Sequence, residues 1–198
     1  ILTKKVKPYW ATEFSILTAF FLLVTVGILF STNRVKAIDL WSGVYIKIYL
    51  MTILTAWLLN DKNKIEMAAW VILVSGFLVS TVAINNKLLS IGLVEGTRVT
   101  IAREFGSVLG DPNDLALVLL FPCAFSLSNA LQKNLGRTKR LISIITFIML
   151  LTAIVYTQSR GGLLGVMAVS GYICKHHIKS KIFLASIAVI VFVGLFAV

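Results

Sequence analysis

The sequence predicts an all-α fold, a polytopic bundle of transmembrane helices with about seven spans. Three observations carry this. The chain is 58% hydrophobic and only 14% charged, whereas soluble domains carry about 25% charged residues. Its mean hydropathy is positive. Its apolar residues fall in runs close to bilayer length, broken by short polar connectors. The formal net charge of +11 would point to nucleic acid in a soluble protein. Here most Lys and Arg lie in short loops, as the positive-inside rule demands. Membrane lipid is therefore the expected partner, and nucleic acid is not.

The elements follow in order. Lys4, Lys5 and Lys7 precede a first span at residues 14–30. Asn33, Arg34, Lys36 and Asp39 mark a loop. The second span covers residues 44–59, with Lys47 near enough to its end to snorkel. Trp41 and Tyr45 sit where interfacial aromatics belong. Residues 60–64 are a tight polar connector, and the third span covers 67–84. Residues 85–111 form the longest non-spanning segment. The fourth span covers 114–131, a basic loop 132–140, and the fifth span 141–157. After a polar nick, the sixth span covers 161–174. Residues 175–181 are basic again, and a seventh apolar run starts at Ile182. The whole of residues 1–198 reads as a single transmembrane domain, with 85–113 as an outer loop segment. The chain opens with Ile1 and ends at Val198 inside an apolar run, so a fragment truncated at both ends is expected.

Orientation comes from counting Lys and Arg. With the N-terminus inside, the inner segments hold 12 of these residues and the outer ones 7. The short loops at 132–140 and 175–181 decide it, because both are strongly basic and both fall inside. The N-terminus is then cytoplasmic, and the 85–111 segment and Arg160 share the outer side.

Candidate chemistry begins at the nick Tyr156-Thr157-Gln158-Ser159-Arg160-Gly161-Gly162. Hydrocarbon solvates a guanidinium badly, so Arg160 must find water or a counter-ion. Gly161 and Gly162 allow a tight turn and close approach of another group. A helix over 161–174 would rise roughly 21 Å against a hydrocarbon core of about 30 Å. Either Lys175 snorkels, or the Arg160 turn is sunk below the surface, where a fixed cation would hold an anionic headgroup. Arg98 and Arg103 are interleaved with apolar residues in the long outer segment. They either pair with Glu95 and Glu104 or join Arg160 around a diphosphate, which arginine suits through its bidentate fork. Asp111 is a good N-cap, Pro112 fits the first helical position, and Asp114 falls at the third, where acidic residues help. Asn113 has no comparable structural reason and is the better site candidate. Pro122 removes a backbone bond within the fourth span and should bend it.

Cys123 and Cys174 lie in apolar runs and read as small hydrophobes. His176 and His177 sit in an inner basic loop with no carboxylate or thiolate pair nearby. They read as solvated, and no metal is expected. No Walker loop or dinucleotide fingerprint occurs, so no cofactor is expected.

At Gly110-Asp111-Pro112-Asn113-Asp114-Leu115-Ala116-Leu117, followed by Pro122, and at Ser159-Arg160-Gly161-Gly162, the chain resembles the bacterial O-antigen ligase and polysaccharide polymerase family. The likeness covers roughly residues 96–198. That family is similar to type C glycosyltransferases. The resemblance implies a metal-independent enzyme of the inner membrane's outer face. It would transfer a glycan from a polyprenyl-diphosphate donor to a hydroxyl of a glycan, lipid or protein acceptor. Arg160 matches the arginine of the family's serine turn, Asn113 matches the asparagine after its proline, and Arg98 or Arg103 matches an upstream arginine. Ser159, Gly161, Gly162, Asp111 and Pro112 are the supporting turn residues. The family also has a large outer loop with a functional histidine. By that pattern the base lies beyond Val198, no catalytic residue is certain in this stretch, and the fragment alone would be inactive. The alternative class is a non-enzymatic polysaccharide or anion transporter subunit selecting anions by its outer arginines.

Overall fold

A computed structural model describes residues 8–132 and 134–177. The seventh apolar run, from Ile182, lies outside the described residues. Among those described the architecture is helical. The elements are α1 Thr12–Gly27, α2 Arg34–Leu40, α3 Ile46–Leu58, α4 Lys62–Leu88, α5 Pro112–Leu131, α6 Arg137–Tyr156 and α7 Arg160–His177. Five helical stretches are long and apolar enough to cross a membrane: Thr12–Phe30, Arg34–Leu58, Lys62–Leu88, Pro112–Leu131 and Arg137–Tyr156. The expected sixth span, α7, is not among them. It begins with Arg160 and ends in Lys175-His176-His177, polar ends that dilute its apolar middle. The chain divides into two compact units, Ile1–Ala68 and Ala69–Val198.

In the first unit the expected loop at 33–39 is mostly helix. Asn33 Oδ1 accepts a hydrogen bond from the Lys36 amide at 3.1 Å, which caps α2 at once. No glycine or proline intervenes before Gly43, so the helix runs on through a π-helical turn at Trp41–Tyr45 into α3. That turn brings aromatic rings onto α1. Phe21 stacks on Tyr45 at 5.6 Å and on Tyr49 at 4.3 Å between centroids. Trp41 Nε1 donates to Thr25 Oγ1 at 3.0 Å. Trp41 and Tyr45 thus serve helix packing within this unit.

The second unit is built on α5, which packs against α6 and α7. Its core joins Ala83 of α4, Val99 of the long loop, Leu115, Ala116, Leu119 and Cys123 of α5, Leu150, Ala153 and Ile154 of α6, and Leu163 and Val166 of α7. Small residues set the helix spacing, as in membrane bundles. A Cβ on Gly76 of α4 would fall 2.4 Å from Pro122 Cβ, so glycine there admits the proline ring inside α5. Cys123 and Cys174 are buried and unpaired. Large apolar side chains such as Val74, Leu78, Leu117, Phe121 and Ile148 point outward. Hydrocarbon solvates such a surface and water does not.

Candidate functional site

The start of α5 is decided by sequence. Asp111 Oδ1 accepts from the Asn113 amide at 2.7 Å and the Asp114 amide at 3.4 Å. Pro112 occupies the first helical position, where no amide proton is missed. Asp111 is therefore spent on capping, and Pro112 is buried in support.

The turn between α6 and α7 is made differently from the expectation. Gln158, not a glycine, takes the left-handed conformation, with φ 51°. It stops α6, as a left-handed residue past a helix end does. Ser159 then caps α7: its Oγ accepts from the Gly162 amide at 3.2 Å, and its carbonyl accepts from the Leu163 amide at 3.0 Å. Gly161 and Gly162 lie in the first turn of α7 with ordinary helical backbone. Their use is close approach. A Cβ on Gly162 would sit 2.7 Å from Ala116 Cβ, so glycine lets the start of α7 rest on α5. The helix also extends through His177, 18 described residues. At about 1.5 Å per residue that is roughly 27 Å, so a short sixth helix no longer argues for a sunk turn. His176 and His177, expected in a loop, are helical, at the end of the described residues.

The long loop folds over this turn. Its Val99 amide donates to the Tyr156 carbonyl at 3.0 Å. Thr97 Oγ1 donates to Gln158 Oε1 at 2.9 Å. Asn86 Nδ2 donates to the Thr100 carbonyl at 3.0 Å, and Lys87 Nζ bonds the Thr97 carbonyl. Val99 and Thr100 are buried. The described non-glycine residues with left-handed backbone are Ser90, Glu95, Ala102 and Gln158, all in this loop and turn. Such conformations cost about 1–3 kcal/mol each, persist only where the surroundings hold them, and gather at functional sites.

Arg98 is the centre of the arrangement. It is half-buried. Its Nε donates to the Thr157 carbonyl at 3.1 Å, and its Nη2 donates to Asn113 Oδ1 at 3.1 Å. Neither Glu95 nor Glu104 pairs with it. A guanidinium has five N–H donors; two are spent on neutral acceptors, and the rest are unused among the described residues. The charge is oriented but not neutralised. Arg160, exposed at the first position of α7, has no hydrogen bond or ion pair among the described residues. Arg103 stands exposed on the short turn Arg103–Phe105. Its backbone, not its guanidinium, meets the site: a Cβ on Gly110 would lie 2.9 Å from Arg103 Cα.

A cavity of about 350 Å³ opens beside these residues, lined by Asn113, Asp114, Leu117 and Leu120 of α5 and by Ser159, Gly161 and Gly162. Asn113 therefore faces two ways. Its side-chain oxygen holds Arg98, and the residue itself walls the cavity. None of the three arginines lines the cavity. Arg98 reaches it through Asn113, and Arg160 through its chain neighbours Ser159 and Gly161. No family model, curated protein or solved structure matches this chain.

Thr97, Thr157, Gln158 and Asp114 belong to this site and carry no sequence signal that singles them out. Asp114 reads as a helix-start residue, and the left-handed turn at Gln158 has no glycine or asparagine to mark it. Among the described residues no group of three His, Cys, Asp or Glu side chains could hold a metal ion.

Proposed function

We propose that the chain is part of a membrane glycosyltransferase that takes a glycan from a polyprenyl-diphosphate donor and passes it to an acceptor hydroxyl at the outer face of a bacterial inner membrane. One observation carries this reading. Arg98 is half-buried and fixed by Thr157 and Asn113, yet it has no carboxylate partner. A cation held in place by neutral acceptors keeps its charge for an anion, and a diphosphate would supply a bidentate partner for it. Arg160 stands unpaired at the turn Arg98 grips, so a second guanidinium is within the same end of the unit. The short apolar stretch Leu117 and Leu120 on the cavity wall suits the start of a lipid tail.

The chemistry asks for little more than charge. The acceptor oxygen attacks the anomeric carbon, and the lipid diphosphate departs as a stable anion. Preorganised donors that stabilise that anion lower the barrier without first having to reorient. The resemblance at residues 110–117 and 159–162 supports the same class. It does not choose between ligase and polymerase, and either would act without metal or cofactor.

The test uses the full-length protein in membranes. Transfer of glycan from a lipid-diphosphate donor should fall at least tenfold in Arg98→Lys and in Arg160→Lys, an effect of about 1.4 kcal/mol or more on the barrier. The charge remains in both variants, but a point charge lacks the bidentate fork. Arg34→Lys, in the first unit, should transfer as wild type does. Full activity in both site variants would overturn the reading.

A further inference from the structure

We propose that a groove between α4 and α6 holds one anionic phospholipid, with its phosphate at Trp70 and Lys139 and an acyl chain lying between the two helices. The inference is independent of the transferase reading. On α6 the groove ends at Thr146, about 15 Å before the turn that Arg98 grips.

The groove has a volume of about 280 Å³ and is lined by Leu73, Val74 and Phe77 of α4 and by Ile142, Ile145 and Thr146 of α6. Each set continues a helix stripe. Trp70 stands three residues before Leu73 and four before Val74, and Lys139 stands three before Ile142, so both share a face with the groove residues. The stripes meet there, with Lys139 Nζ over the Trp70 ring at 5.8 Å from its centroid. The site is apolar along its length and cationic at one end.

Two donors in it lack acceptors. Thr146 is 1% exposed, and its hydroxyl makes no hydrogen bond among the described residues. A serine or threonine within a helix can donate to a carbonyl of the preceding turn. Ser80, Ser126, Ser143 and Thr157 of the same unit do so. Thr146 does not, and it lines the groove instead. Trp70 Nε1 is also buried without a partner among the described residues, where an indole N–H usually has one. A phospholipid is the complement of this pair. Its phosphate and ester carbonyl oxygens only accept, and its chains are apolar. The phosphate suits the Trp70 end, where Lys139 on its flexible stem can shift to admit and bind it. An ester carbonyl, deeper in the groove, suits Thr146.

Charge selects an anionic lipid over a zwitterionic one. Residues 132–140 carry Lys133, Arg137, Lys139 and Arg140 and no carboxylate. Residues 61–66, where α4 begins, add Lys62 and Lys64 against Asp61 and Glu66. Both stretches are thus short of acid, and basic sites between transmembrane helices bind anionic headgroups. A second copy of this chain docked here by a two-fold axis would set like charges against each other.

The experiment is native mass spectrometry of the full-length protein in neutral detergent, titrated with phosphatidylglycerol and, separately, with phosphatidylcholine of the same chains. One phosphatidylglycerol should be retained about tenfold better than phosphatidylcholine, and millimolar inorganic phosphate should not displace it. Thr146→Val and Trp70→Phe should each weaken retention about two- to tenfold. Thr146→Val should also unfold no earlier than wild type without lipid, because it removes an unpaired buried hydroxyl. Val74→Trp, at an exposed position on the groove wall, should abolish retention by filling the groove. Ile148→Trp, exposed on α6 outside the groove, should leave it unchanged. Equal retention of the two lipids, or wild-type retention in both Thr146→Val and Trp70→Phe, would overturn the proposal. Displacement by inorganic phosphate would make the site one for a free anion and overturn it too. A lipid-free dimer that Val74→Trp converts to monomer would show a second copy in the groove, with the same consequence.

Discussion

Arg98 and Asn113 are joined by a single hydrogen bond, Nη2 to Oδ1 at 3.1 Å, and that bond ties the long loop to the first turn of α5. The acceptor is a neutral amide oxygen. It aims the guanidinium without cancelling its charge, which is what an anion site needs from a neighbour.

Asn113→Asp tests that relationship. The carboxylate would keep the geometry and neutralise Arg98. An ion pair this exposed contributes about 0–1 kcal/mol, so the melting temperature should hold or rise slightly. Transfer from a lipid-diphosphate donor should nevertheless fall about tenfold or more. A variant as active as wild type would show that the free charge on Arg98 is not used.

Gln158 sets the turn. Its left-handed backbone costs a non-glycine residue about 1–2 kcal/mol, and its bond to Thr97 returns about 0.5–1.5 kcal/mol. Gln158→Gly loses both and should be near neutral in thermal unfolding of the detergent-solubilised protein. Gln158→Val keeps the strain, worsens it through its branched Cβ, and loses the bond; it should be destabilised by about 2 kcal/mol or more. Equal stability of the two variants would contradict the turn geometry.

Gly162 and Ala116 share one space. Gly162→Ala puts two Cβ atoms 2.7 Å apart, so it should destabilise by about 1–3 kcal/mol. Adding Ala116→Gly removes the clash and should recover most of that loss. The double variant is the informative measurement, because contacting residues are not additive. A double variant that unfolds at the temperature of Gly162→Ala would place the cost elsewhere.

Sidedness is open to labelling. Short basic loops resist translocation, so residues 132–140 should be cytoplasmic and the long loop external. A membrane-impermeant thiol reagent added outside should mark Ser107→Cys and spare Thr138→Cys. The opposite pattern would invert the orientation and remove the outer-face site.

The sequence by itself determined the helical class, the order of the apolar stretches, and the start of α5 at Asp111 and Pro112. These are local matters. Hydropathy along one segment and a cap within one turn depend on nothing distant. A local signal of the same kind lies at Asn33, whose side chain caps α2 within the stretch expected as a loop. The tertiary structure alone decided the rest. It put the turn's left-handed residue at Gln158 rather than in the glycine pair, because the bond from Thr97, 61 residues away, helps hold the strain. It chose Arg98 over Arg103 as the clamped arginine, because the Thr157 carbonyl and Asn113 converge on one and not on the other. It brought Asp114 to the wall of a cavity that two distant helix starts enclose. Each of these depends on groups that meet only after folding, and spacing along the chain holds no record of that meeting.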